Sequence, residues 1–446
     1  MTRRRARDPV ARRALTTGLV LTVVAVAFEG LAVPTIMPTV ARELGGLEFY
    51  GWAFSAFMIT NVVGIVAAGE QADRGGMRGA FVAGLVLFGL GLVAAACVPS
   101  MRLLVGARAI QGLGGGALST VVYACVAQAY APDERPRMLA VMSTAWVVPG
   151  LVGPGLSGLV TDWIGWRAVF VGLTPLLLIT AMLVLPALRD VPRGAPSTPA
   201  HSLVPSALAV AIGMTMVLIG IERPSFAQRM VVVLAGVVPS VLGLRRLLPA
   251  GTLAVRAGLP AAVVVMGLVC FAFFGAEAVV PLLVTVRFHA SATIAGLALS
   301  AATLAWTIGA WAQARLAATS NRAVLVATGT GLIGLGIVGV TLAVRESAPL
   351  ALVWGGWAVA GLGMGLAHAT ISLVVLEEAP DGGVGAASAA MQITSAIGVA
   401  LGTGATGTLM SMSASQTRGL VLGFLTTTGA AAAALVVAAR LPGRRR

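Results

Sequence analysis

The chain has 446 residues, of which 58% are hydrophobic and only 10% charged, with a mean hydropathy of +0.95. A soluble core of this size cannot hide so much apolar surface, so the composition excludes a water-soluble globular protein and indicates an integral membrane protein. The formal net charge of +14 comes from arginines scattered in short loops, which excludes a basic nucleic-acid-binding domain with interleaved aromatics.

The predicted elements begin with a basic arm, residues 1–14, and an apolar run over 15–40. That run is too long for a signal peptide and has no clear small-residue cleavage site, so it is read as segment 1. A hydrocarbon core about 30 Å thick needs roughly 20 apolar residues per helix. Runs of that kind recur at 50–69, 79–98, 103–129, 138–161 and 167–187 as segments 2 to 6. Segments 7 and 8 fall at 204–221 and 230–248, and segments 9 to 14 at 258–286, 294–314, 323–344, 349–376, 384–410 and 419–439. The uncharged part of segment 8, Met230 to Leu244, is short, so segments 7 and 8 are expected either both to cross or both to turn back. Between segments 6 and 7, Arg189 to Ser202 has three prolines and no apolar period, and reads as a flexible linker.

Arginine placement tests the count of 14 segments. With the N-terminus inside, 21 arginines fall in the inner loops and ends and 8 in the outer loops, while Arg108 lies within a segment. The bias predicts that both termini are cytoplasmic. The chain also repeats. Gly51-Trp-Ala-Phe-Ser55-Ala returns as Gly296-Leu-Ala-Leu-Ser300-Ala, Gly112-Leu-Gly-Gly-Gly116 as Gly361-Leu-Gly-Met-Gly365, and Ala131-Pro-Asp133 as Ala379-Pro-Asp381, at offsets of 245, 249 and 248. A near-constant offset predicts duplicated halves. The expected fold is therefore an all-α membrane protein with two six-helix bundles, 15–187 and 258–439, and two inserted central helices within 204–257. Residues 188–203 form the linker and 440–446 a basic tail.

Ionisable side chains inside hydrocarbon are costly, about 2.5 to 3.5 kcal/mol each, and are functional suspects for that reason. Four qualify: Glu29, Arg108, Glu277 and His368. Glu29 lies roughly 21 Å from the inner end of segment 1, and Arg108 of the antiparallel segment 4 roughly 22 Å above the inner edge. Gln111 is one turn from Arg108 and completes a polar cluster. Two readings stand: a proton-handling group, favoured by Gly30, Pro34 and Pro38, which suit an irregular, cavity-facing helix, or a static salt bridge between segments 1 and 4. Glu277 stands near the repeat equivalent of Glu29 and is either a second cavity acid or an outer-rim residue. His368 has no motif around it and reads as a packing histidine, with the cavity wall as the alternative; Trp146 is a further cavity candidate. The cysteines Cys97, Cys125 and Cys270 are far apart and have no metal or redox spacing, so no metal and no cofactor are expected.

Between segments 2 and 3, Gly69-x-x-Ala72-Asp73-Arg74-x-Gly76-x-Arg78 resembles the signature loop of the major facilitator superfamily, with Gln71 and Met77 departing from it. The resemblance implies that Asp73, with Arg74 and Arg78, belongs to a cytoplasmic gate, in which the aspartate faces a helix end. Arg108-Ala-Ile-Gln111-Gly112 resembles the superfamily's segment 4 motif, whose arginine is linked to proton transfer. Pro149-Gly150-Leu-Val-Gly153-Pro154-Gly155-Leu-Ser157-Gly158 resembles the antiporter motif of segment 5, with Pro149 and Ser157 replacing the usual glycines. On physical grounds Gly153 and Gly158 permit close helix approach and Pro154 loosens the backbone. Trp166-Arg167-Ala-Val-Phe170 is similar to the opening of segment 6 in drug/proton antiporters.

The resemblance implies a 14-helix drug/proton antiporter that exports small lipophilic or cationic compounds by alternating access. The all-arginine basic set fits a high-GC bacterium, so the expected location is a bacterial plasma membrane, with lipid, protons and a small-molecule substrate as partners and a monomer as the unit. The alternatives are a metabolite or amino-acid exporter and a proton-coupled uptake symporter. A membrane-embedded enzyme is disfavoured, because three histidines and few clustered acids leave no metal site or nucleophile triad.

Overall fold

The computed structural model describes residues 9–130, 134–190, 202–317, 319–380 and 383–443, and all its regular elements are helical. The first half contains α1 (Pro9–Leu44), α2 (Tyr50–Gly75), α3 (Met77–Cys97), α4 (Met101–Ala129), α5 (Arg135–Thr144), α6 (Val147–Trp163), α7 (Arg167–Val171) and α8 (Thr174–Ala187). The inserted pair is α9 (Val204–Ile221) and α10 (Phe226–Leu247). The second half contains α11 (Leu259–Glu277), α12 (Val280–Arg287), α13 (Ala292–Leu316), α14 (Arg322–Leu342), α15 (Ala351–Glu377), α16 (Val384–Met412) and α17 (Gln416–Ala438). Thirteen helices among the described residues are long and apolar enough to cross a membrane. The fifth segment completes the 14, but it is divided into α5 and α6.

Proline explains the divided segments. Pro149, Pro175 and Pro281 stand in the first turns of α6, α8 and α12. Each lacks the N–H that would bond the carbonyl four residues back, at Ala145, Val171 and Glu277, and the helix breaks there. In α1, by contrast, Pro34 and Pro38 lie inside one unbroken helix of 36 residues, so the expected irregularity is absent. Over its length α1 packs against α6, α8 and α13.

Two further boundaries differ from expectation. The charged turn after segment 2 is mostly helix: α2 continues to Gly75, α3 starts at Met77, and Gly76 alone reverses the chain at φ 87° and ψ 156°. Only glycine accepts that conformation without strain. Segment 8 is not short, because Ser225 caps α10 through the Gln228 amide at 3.2 Å and the helix runs 22 residues. Residues 191–201 of the expected linker lie outside the described residues.

The sequence repeat is also a packing repeat. A side chain at Gly112 or Gly116 of α4 would strike the carbonyls of Phe57 and Asn61 in α2. At Gly361 or Gly365 of α15 it would strike those of Ala302 and Trp306 in α13, the equivalent positions. Glycine thus lets the same pair of helices approach closely in each half.

The halves meet along α2 with α16 and along α6 with α13. Gly51 packs on the backbone of Gly407, Ser55 Oγ donates to Ala400 O at 2.7 Å, and Tyr50 Oη donates to Ala278 O at 2.8 Å. Across the other seam, Asp162 of α6 caps α13, accepting from the amides of Ala292 at 3.3 Å and Thr293 at 3.0 Å. These junctions all lie toward the face opposite the start of α1 and the end of α17, and they close the α2/α16 and α6/α13 seams there.

Candidate functional site

The centre of the first half is a buried polar cluster built from three helices. Arg108 of α4 is 3% exposed, and its Nη1 donates to Glu29 Oε1 of α1 and, at 2.5 Å, to Gln111 Oε1 one turn along α4. Its Nε donates to Ala53 O of α2 at 3.1 Å, and the guanidinium lies 4.3 Å from the centre of the Phe57 ring. An arginine is suited to this position because its planar fork serves several acceptors while its face stacks on an aromatic ring.

Glu29 is 1% exposed, and its second oxygen, Oε2, makes no hydrogen bond among the described residues. Gln111 Nε2 is likewise unsatisfied. One carboxylate oxygen is thus held by the guanidinium, while the other is buried with no donor among the described residues. Burial works against the ionised carboxylate and the arginine works for it, so the separation of the two decides which form persists. In this conformation Glu29 faces Arg108 rather than an open cavity.

Glu277 ends α11 and is 5% exposed, with no ion pair or hydrogen bond among the described residues. It is buried, which excludes the outer-rim reading. One turn below it, Phe273 stacks on Trp357 at 4.8 Å between ring centres and meets Trp306 edge-on at 5.5 Å. His368 lies half-buried at 5.7 Å from Trp306, within the same aromatic cluster. Trp146 stands at the α5/α6 break and is 46% exposed.

The antiporter-like stretch faces α1 at Gly153 and the seam with α13 at Pro154 and Gly158. A side chain at Gly153 would meet the Phe28 ring of α1 at 3.4 Å, one at Gly158 would come within 2.5 Å of Ala292 O, and Gly296 of α13 packs on the carbonyl of Pro154. The gate candidates lie at the other end of the molecule. The side chain of Asp73 lies outside the described residues. Arg74 pairs with Glu70 of its own helix at 3.1 Å, and Arg78 is exposed.

Several residues at junctions were not among the sequence candidates. Glu70 accepts from Ser202 Oγ at 2.8 Å and from the amides of Leu203 and Val204, so Glu70 meets a helix N-terminus, that of α9. Glu43 accepts from Trp166 Nε1 at 2.8 Å and from Arg167, which ties the Trp-Arg pair to the end of α1. Asp162 and Glu222 serve the closed seams. The available signal was their position: each is an acid within a few residues of a segment end, where helix termini and loop donors are found.

The family model described as Major Facilitator Superfamily matches residues 18–403. A probable multidrug-efflux transporter of Mycobacterium tuberculosis is 32% identical over 154 residues, covering 34% of this chain and 33% of that protein. Multidrug resistance protein 3 of Bacillus subtilis is 29% identical over 153 residues, covering 34% of this chain and 30% of that protein. The chain thus spans about a third or less of the length of the curated relatives it matches. Among solved structures, a bacterial homologue of the human lysosomal transporter Spinster, inward-facing and unoccupied, aligns with a TM-score of 0.69 at 15% identity, covering 97% of this chain and 96% of that one. A POT family transporter in complex with a thioalcohol-conjugated peptide aligns with a TM-score of 0.70 at 16% identity, covering 95% and 96%.

Proposed function

This chain belongs to the major facilitator superfamily, and from that premise we propose that it exports small lipophilic or cationic compounds in exchange for protons. The observation that carries the reading is the buried Glu29, Arg108 and Gln111 cluster, which joins α1, α2 and α4 and leaves one carboxylate oxygen free. The relatives named for multidrug efflux support the substrate class, and the resemblance of the stretch with Gly153, Pro154 and Gly158 to the antiporter motif supports antiport.

In this mechanism the halves rock about α2/α16 and α6/α13, and the face with the closed seams is the external one. The arginine bias of 21 to 8 supports cytoplasmic termini in a bacterial plasma membrane, so reporter fusions at Met1 and Arg446 should both read cytoplasmic. A proton entering from outside neutralises Glu29 and frees Arg108 from its carboxylate. On the inner side Glu29 returns the proton, and the charged carboxylate attracts a cationic substrate. Glu277 is assigned the part of a second acid on the opposite half, and its burial without a cation among the described residues supports that reading. Asp73, Arg74 and Arg78 are assigned to the inner gate, which closes when the external face opens.

The test is efflux of a fluorescent cationic dye in inverted membrane vesicles energised with a pH gradient. Wild-type protein should accumulate dye, and Glu29→Gln should lose the gradient-driven component while eluting normally on gel filtration. Gradient-dependent accumulation by Glu29→Gln equal to wild type rejects Glu29 as the carrier. Dye movement in the direction of the proton flux rejects antiport in favour of a symporter.

A further inference from the structure

The inserted helices α9 and α10 have no counterpart in the repeat, yet the bonds of α9 are specific. α9 is fastened to α2 at both ends. At its start, Glu70 of α2 accepts from Ser202 Oγ and the first α9 amides, including that of Val204 at 3.1 Å. At its finish, Trp52 Nε1 of α2 donates to Glu222 Oε1 at 2.9 Å. The same oxygen accepts from Thr408 Oγ1 of α16, in the other half, at 3.3 Å. Nearby, Leu218 of α9 fills the space over Gly404 of α16, which also borders Ser55 of α2.

Glu222 therefore spans the seam between α2 and α16 at the face that must part for the opposite state to form. Gly51 packs on Gly407 there, so any opening separates Trp52 from Thr408. Because α9 is held to α2 at both ends, the bond that breaks is the one to Thr408. We propose that the inserted pair moves with the first half and that Glu222 is a latch, holding the external face closed through Trp52 and Thr408. The latch biases the equilibrium between the two states whatever compound is carried. α10 packs on α9 through Gly236 against Gly213 and Gly243 against Ser206, and so braces the latch helix from the lipid side.

The test uses the full chain in nanodiscs with Cys97→Ser and spin labels at Glu48 and Ser347, exposed positions of the two halves on the face with the closed seams. Distances are measured by pulsed electron resonance with neither substrate nor pH gradient, so the result is independent of the export reading. Glu222→Ala should raise the ratio of long to short distances by roughly three- to tenfold, the weight of one or two lost hydrogen bonds. Glu222→Gln keeps an acceptor oxygen and should retain the wild-type distribution. Thr408→Val removes one hydroxyl at nearly constant volume and should reproduce the shift even if Glu222→Ala folds poorly. A Thr408→Val distribution identical to wild type overturns the latch.

Discussion

The two halves share a packing plan and differ in where they keep charge. Glu29 and Glu277 lie 248 positions apart, within the offsets of the repeat. At the offset of 249, Arg108 corresponds to Trp357 and Gln111 to Ala360. The first half thus carries a carboxylate with a guanidinium and an amide, and the second a carboxylate one turn from stacked rings, with no cation paired to it among the described residues. The glycines that set helix approach are repeated in both halves, at Gly112 and Gly361. Duplication has preserved the packing surface, which many helix pairs can share, while the ionisable groups have diverged. The buried ionisable groups are therefore placed asymmetrically, and the halves can be told apart by removing one group from each.

The largest effect is expected on stability. Arg108→Leu leaves Glu29 buried without a partner and should cost about 3 to 5 kcal/mol. Glu277→Gln orphans no cation, so its unfolding midpoint in detergent should equal or exceed that of wild type. Equal losses in the two variants would erase the distinction between the halves.

A smaller effect is expected at the seams. Gly158→Val brings a Cβ to 2.5 Å from Ala292 O, closer than van der Waals contact allows, and should wedge α6 from α13. The variant should lose most of its transport and expose a cysteine placed at Ser55 to a membrane-impermeant thiol reagent. Unchanged reactivity there would mean that the two seams do not open together.

The smallest effect belongs to the unpaired carboxylate. Glu277→Gln should reduce export of a cationic dye on the order of tenfold, about 1.4 kcal/mol, relative to a neutral one. A proportional loss for both substrates would assign Glu277 to packing rather than to recognition.

Most of the helical layout was legible because apolar run length is dictated by membrane thickness. The breaks before Pro149, Pro175 and Pro281 were not, because the prolines of α1, Pro154 of α6 and Pro239 of α10 sit inside continuous helices, and the residue type alone does not say which proline ends one. The common depth of Glu29 and Arg108 was legible, since two antiparallel helices of known span put both at one level, while the rotation that turns them toward each other was not. Glu222 and Asp162 were hidden by their ordinary position at segment ends. A terminal acid looks like any solvated charge until the helix it caps, or the opposite half it reaches, is known.

The proposed exchange has substrate and proton compete through Glu29. It is tested most directly by adding a cationic substrate to purified protein in weakly buffered detergent solution and following proton release with a pH dye. Wild-type protein should release protons on binding, while Glu29→Gln should bind without release. Equal release by both would place the exchanged proton on another group and contradict the account.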